Sequence, residues 1–322
     1  MNTYIARILC GAIAVLFTAT THATKFPDRS VTMVVPFSPG GATDTVARIV
    51  ADRMGKELGQ PVIVQNKPGA GTIVGATYVE NSKADGYTIF MATNTTLVTS
   101  RYLYKNLPFD PDSFEPIGMV AAGPLVLLAN PARSFMTAKD VVDYATQHPG
   151  KLTFASFGQG TSSHLAGEFF KSQADIDILH VPFKGAAEAN MALMQGEVDI
   201  YFDTLLTATP QIKAGKLKAL GVTSLERLSS LPDVPTLVEQ DFANFDVSAW
   251  VSLAAPQNTS PEILSRLEDA VTVVLKDKDV RTRILGVGFI PSDGTAQALR
   301  TQIKNDDDLT SRLVKLAKIP QQ

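Results

Sequence analysis

The chain predicts an α/β fold with mainly parallel sheet, built as two lobes with a ligand cleft between them. Three observations carry this. Short apolar runs of strand type alternate with helical stretches along most of the 322 residues, the pattern of repeated βα units. Two long apolar stretches, 117–129 and 247–254, each have a proline close behind, Pro131 or Pro256, and divide those units into blocks. A strand–glycine–helix junction occurs twice, once in each block.

Taken in order, residues 1–23 read as a secretory signal. Arg7 supplies the positive start, residues 8–18 the apolar core, and Thr21-His22-Ala23 the small residue after which cleavage is expected, near Ala23. The apolar core is shorter than the roughly 20 residues that span a bilayer, so a membrane tether is the weaker alternative. Cys10, the single cysteine, lies inside this segment without small residues before it, which argues against a lipid-attachment site. The mature chain then has no cysteine, which fits an exported protein and excludes disulfides, thiolate metal sites and cysteine nucleophiles.

Strands are expected at 31–37, 61–65, 88–92, 117–129, 152–156, 178–182, 198–202, 217–223 and 247–254. Helices fall between them at 43–58, 71–81, 137–147, 162–173, 186–195 and 207–213. The first is the clearest, because Val46, Ile49, Val50, Met54 and Leu58 recur at helical spacing. From Pro261 onward strand signals thin out. Ser260-Pro261-Glu262 is a helix start with a capping serine, a proline in the first turn and an acid at the positive dipole end. Helices should follow at 261–276, 279–285 and 295–316.

With 45% hydrophobic and 19% charged residues the chain can bury one large core or two medium ones. The two long apolar stretches are read as crossings from a first lobe to a second and back. That places 27–125 plus 250–322 in lobe 1 and 126–249 in lobe 2, with one large sheet as the alternative. A net charge of -3 without a basic cluster argues against nucleic acid as a partner. A monomer is the default expectation.

The junctions are Phe37-Ser38-Pro39-Gly40-Gly41-Ala42-Thr43-Asp44 and Phe157-Gly158-Gln159-Gly160-Thr161-Ser162-Ser163-His164. In open α/β sheets such loops lie at the carboxyl ends of strands, where ligands bind. Helix-start N–H groups lack internal partners, so two such loops facing each other hold a carboxylate without lysine or arginine. Cofactors are not expected. A P-loop lysine, the three spaced glycines of a dinucleotide site and Gly-x-Ser-x-Gly are all absent from these loops, and the four histidines include no His-x-x-x-His pair. A hydrolase using Ser162 or Ser163 with His164 and Asp203 is the enzymatic alternative, disfavoured because neighbouring helical residues do not face one another. Thr161, Ser162 and Ser163 also read as plain helix caps, and Asp44 as a dipole partner. Asp203, at a strand end, suits either a polar ligand contact or loop hydrogen bonds. The turn Lys67-Pro68-Gly69-Ala70-Gly71-Thr72 is explained as well by turn chemistry as by binding.

The ordered set Val34–Gly41 with Asp44, Asn66–Gly71, Ala84–Thr88, Gly160–Leu165, Pro182–Gly185, Gly196–Asp199 and Leu231–Thr236 resembles the substrate-binding receptors of tripartite tricarboxylate transport systems, the Bug family of periplasmic solute-binding proteins. The match spans essentially the whole mature chain. It implies a type II periplasmic-binding-protein fold that closes on a small carboxylate, for delivery to membrane transporter subunits or, alternatively, to a sensor. Carried over, the lobe 1 contacts are Phe37, Ser38, Gly41, Ala42 and Thr43, and the lobe 2 contacts are Gly160, Thr161, Ser162 and Ser163. Thr93, Asn94 and Asp203 would meet the distal end of the ligand. Phe157 and Gln159 depart from the family pattern, which has smaller residues there.

Overall fold

The computed structural model describes residues 26–316 and Gln321; the signal expected at 1–23, with Arg7 and Cys10, lies outside the described residues. The first block comprises β1 (Val31–Val35), α1 (Ala42–Leu58), β2 (Val62–Asn66), α2 (Ile73–Glu80) and β3 (Thr88–Thr93). A π turn at Thr95–Thr99 and α3 (Ser100–Leu103) then lead to the 16-residue β4 (Phe114–Ala129). The middle block holds α4 (Ala138–Gln147), β5 (Leu152–Ser156), α5 (Ser162–Ala174), β6 (Ile178–Pro182), α6 (Ala186–Gln195), β7 (Ile200–Thr204), α7 (Leu205–Lys213) and β8 (Lys218–Val222). The chain returns through β9 (Ser248–Pro256) to α8 (Pro261–Lys276), α9 (Lys278–Gly286), β10 (Ile290–Pro291) and α10 (Ala296–Leu316).

Amphipathic spacing decides which faces are buried. Val46, Ile49, Val50, Met54 and Leu58 of α1 are all in the core. The strand order is β2-β1-β3-β9-β4-β7-β5-β6, with β8 and β10 also bonded to β4. Among the described residues, strand-to-strand pairing is parallel in the two outer parts, where β1 meets β2 and β3, and β5 meets β6 and β7. Every pairing of β4 or β9 is antiparallel, which corrects the expectation of a mainly parallel sheet. The strands that carry the chain between blocks run against their neighbours, a direction that apolar periodicity does not encode.

β4 belongs to both halves. From Phe114 to Pro124 it pairs with β9, and from Leu125 to Ala129 it pairs with β7, with β8 joining from Val126. The buried Thr223 fastens this switch point. Its N–H donates to Leu125 O (3.0 Å), its Oγ1 accepts the Leu125 N–H (2.8 Å), and the same hydroxyl donates to Val247 O (2.6 Å). β4 and β9 are therefore bonded side by side up to this point.

Smaller differences have local causes. The strand expected at 31–37 stops at Val35, and the helix expected at 71–81 starts at Ile73 after a 3-10 turn, Ala70–Thr72. The strand expected at 198–202 sits two residues later, because Asp199 is drawn out to accept the Thr153 N–H (2.8 Å) and the Arg133 guanidinium (2.8 Å from Nε).

Candidate functional site

β1 delivers Pro36–Gly41 to the start of α1, and the buried Asp44 shapes that loop. Its carboxylate accepts the Gly40 N–H (3.0 Å), Arg48 Nε (3.0 Å) and Asn66 Nδ2 (2.8 Å), while Asn66 Nδ2 also reaches Phe37 O (3.0 Å). Burial alone would push this carboxyl up, but the hydrogen bonds from Arg48, Gly40 and Asn66 outweigh it and hold it below its ordinary range. Asp44 is thus more than a dipole partner. Gly41 is the N-cap and has no side chain to occupy the helix-start donors. The N–H groups of Ala42 and Thr43 precede the first intrahelical bond, Thr45 N–H to Gly41 O (3.0 Å).

The second loop follows β5. Thr161 Oγ1 donates to Gly158 O (2.7 Å) and accepts the His164 N–H (3.5 Å), so it is a cap as the sequence allowed. Gly160 donates its N–H to His164 Nδ1 (3.1 Å), and Ser163 Oγ donates to Phe202 O (2.6 Å). His164 stacks on His180 (4.1 Å between centroids), whose Nε2 lies 2.7 Å from Ser156 Oγ. Burial, then the nearby His180 and Lys171, pushes His164 well below the usual imidazole range; burial and Lys171 bring His180 to about 4. Both rings are therefore neutral, and a neutral Nδ1 is what the Gly160 N–H needs.

A cavity lies between the two loops. Of the residues expected at a site, it brings together Phe37, Ser38, Gly41, Ala42, Thr43, Thr93, Asn94 and Ser162. Gly160, Thr161, Ser163 and Asp203 are not in its wall. Two buried hydroxyls in that wall, Ser162 Oγ and Thr93 Oγ1, have no hydrogen-bond partner among the described residues. Ser162 comes from α5 and Thr93 from β3, so the two come from different blocks of the chain. Ala186 and Thr204 add the starts of α6 and α7, neither with a side-chain cap bond, so four helix N-termini reach one space. The wall contains no lysine, arginine or histidine.

Sequence reasoning missed Ala186, Thr204, Thr95, Ala249, Trp250, Val251 and Phe289 in this wall. Gly185 before Ala186 repeats the glycine–helix signal of the two recognised loops and was the available clue. Trp250, the single tryptophan, donates from Nε1 to Asp306 Oδ2 on α10 (3.1 Å), which fixes the indole. Burial raises Asp306 to about 6 even though the Trp250 bond opposes it.

Asp203 lies behind the wall, fully buried. It accepts from Asn190 Nδ2 (2.5 Å), Thr207 Oγ1 (2.6 Å), the Thr204 N–H (2.7 Å) and Tyr201 OH (2.9 Å). Burial raises it to about 6 against those bonds. Ser163, His164 and Asp203 thus direct their hydrogen bonds to other groups and form no proton relay. Among the described residues no group of three or more His, Cys, Asp or Glu is placed to hold a metal, and no helix is long and apolar enough to cross a membrane.

Residues 46–318 match the family described as the tripartite tricarboxylate transporter family receptor. The chain is 42% identical over 261 residues to a UPF0065 protein of Bordetella pertussis, covering 81% of each. Its fold superposes on the periplasmic binding protein BugD with a TM-score of 0.87 at 34% identity, covering 92% of this chain and 100% of that one. It superposes on MatC from Rhodopseudomonas palustris, solved with bound malate, with a TM-score of 0.85 at 34% identity, covering 90% and 100%. With a family match over most of its length and a two-lobed periplasmic-binding-protein fold, the chain belongs to the receptors of the tripartite tricarboxylate transporter family.

Proposed function

We propose that the protein captures a small carboxylate in the periplasm by closing two lobes on it, and hands it to a membrane transporter of the tripartite tricarboxylate type. One observation carries the reading. Ser162 Oγ and Thr93 Oγ1 are buried without partners in a cavity edged by helix N-termini and free of cationic side chains. A buried hydroxyl without a partner costs about 1–3 kcal/mol, so the arrangement is explained by a ligand that supplies acceptors. A carboxylate does so, and charge-assisted bonds to it are the stronger kind. The malate held by MatC is such a ligand in a relative.

The lobes are 27–125 plus 250–322 and 126–249, a division supported by the change of β4 partners between Pro124 and Val126. Within the site, Phe37, Ser38, Gly41, Ala42, Thr43, Thr93, Asn94 and Ser162 touch the ligand. Gly160, Thr161 and Asp203 hold the loop behind them, and Ser163 contributes its main-chain N–H. The protein binds and releases without turnover, because the hydrolase alternative lacks a relay.

A thermal-shift screen of the mature protein against mono-, di- and tricarboxylates, with their amides as controls, tests this. Ligand at about 100 times its dissociation constant adds about 2.7 kcal/mol of stability. An acid that raises the midpoint while its amide does not supports the reading. Silence from every acid, after refolding to strip any bound ligand, sinks it.

A further inference from the structure

Phe37 and Phe157 meet edge to face across the two loops, with centroids 5.9 Å apart and planes at 87°. Both rings line the cavity that contains Ser162 and Thr93, and both also line a second crevice. That crevice lies between the turn at Gly69–Thr72 and the segments at 157–159 and 182–184. The aromatic pair is a shared partition. The two spaces differ in chemistry, since the first has no charged side chain in its wall while the second carries the exposed Lys184 and Glu188. Glu188 Oε2 accepts the Lys184 main-chain N–H (3.3 Å), and among the described residues the Lys184 ammonium has no ion-pair partner.

We infer that Phe157 sets the length of acid the site accepts: its ring, packed on Phe37, confines the ligand to the first cavity and selects compact carboxylates. Without that ring the two spaces join. A long α,ω-dicarboxylate then keeps one end at Ser162 and Thr93 and places the other beside Lys184. In the wild type the far carboxylate of such a ligand runs into the paired phenyl rings, where a charge left without a partner is costly. Phe157 is the removable half of the partition, because it is partly exposed whereas Phe37 is buried in the core. This inference rests on the carboxylate reading above.

The test is calorimetric titration of the wild type, Phe157→Ala, Phe157→Leu and the Phe157→Ala/Lys184→Ala double variant with succinate, adipate, suberate, sebacate and octanoate. In the wild type, affinity falls as the diacid lengthens. Phe157→Ala gains at least about tenfold for suberate or sebacate and keeps its affinity for the best wild-type acid within about tenfold. Phe157→Leu lies between them, and stands in if the alanine variant does not fold. Adding Lys184→Ala removes the gain for the diacids and leaves octanoate unchanged. A wild type that binds sebacate as well as succinate overturns the inference, as does a Phe157→Ala that weakens every acid alike. In those cases the wild type still binds acids and the receptor reading stands; if no protein binds any acid, both fall.

Discussion

Ser162 and Asp203 are both buried polar residues of the middle block, and only their partners distinguish them. Asp203 is satisfied four times over within the protein, whereas Ser162 Oγ has nothing to bond. Ser162→Ala should leave the free protein as stable as before or slightly more so, since it deletes an unpaired hydroxyl. Its affinity for the acid should drop by about 10- to 100-fold, from about 1.5–3 kcal/mol for a hydrogen bond to a charged group. Titration calorimetry beside a melting curve separates the two effects, and unchanged affinity would remove Ser162 from the contact set. The histidine stack makes a second expectation. Unfolded histidines take up protons near pH 6.5, whereas folded His180 stays neutral down to about 4. Its contribution is intact above pH 6.5 and is lost as pH falls from there to about 4, by at most about 3 kcal/mol. Asp203 has the opposite sign, its contribution full below about 3.8 and lost as pH rises through about 6. Comparing His180→Gln with the wild type cancels Asp203, so the variant should lose less stability between pH 6.5 and 4; parallel curves would assign the acid loss to other groups. In the sequence the glycine loops were legible, because glycine and helix-start chemistry are local. The difference between a capping hydroxyl such as Thr161 and a vacant one such as Ser162 was not, because it depends on what lies across the cleft.

The turn from β2 to α2 shows the same limit for an element. Ala70, Gly71 and Thr72 all have positive φ (47°, 56° and 82°), a costly run for residues other than glycine. The sequence reads 67–72 as a glycine turn that turn chemistry explains as well as binding does. What it touches is the other loop, since a Cβ on Gly71 would lie 2.0 Å from Gln159 O. Gly71→Ala should therefore hold the clamp ajar although Gly71 is outside the cavity with Ser162. If the closed fraction falls tenfold, the apparent dissociation constant rises about tenfold. Small-angle scattering of the ligand-saturated variant should show a larger radius than the wild type; equal radii with equal affinity would mean that the turn and Gln159 do not meet in the bound state. The π turn at Thr95–Thr99 escaped sequence reading because no residue pattern marks a single widened turn.

Across the molecule, the two long apolar runs were legible as strands because each is longer than the roughly five or six residues most strands have. Their antiparallel pairing was not, since the partners are brought together only by the finished fold. β4 and β9 are those runs, and Met91 of β3 pairs with Leu253 of β9, a partner far along the chain. A chain ending at Val222 should lack a cooperative transition in urea, with β3 and β4 left without their shared neighbour; a sharp transition of full amplitude would show that the sheet forms without β9. Pairings so distant slow folding, because loop closure must precede them. Synthesis runs from the N-terminus, so β3 waits for residues 248–256 before its sheet can be completed. The strand order thus acts as a clock: the receptor takes its final shape only when most of its chain has been made.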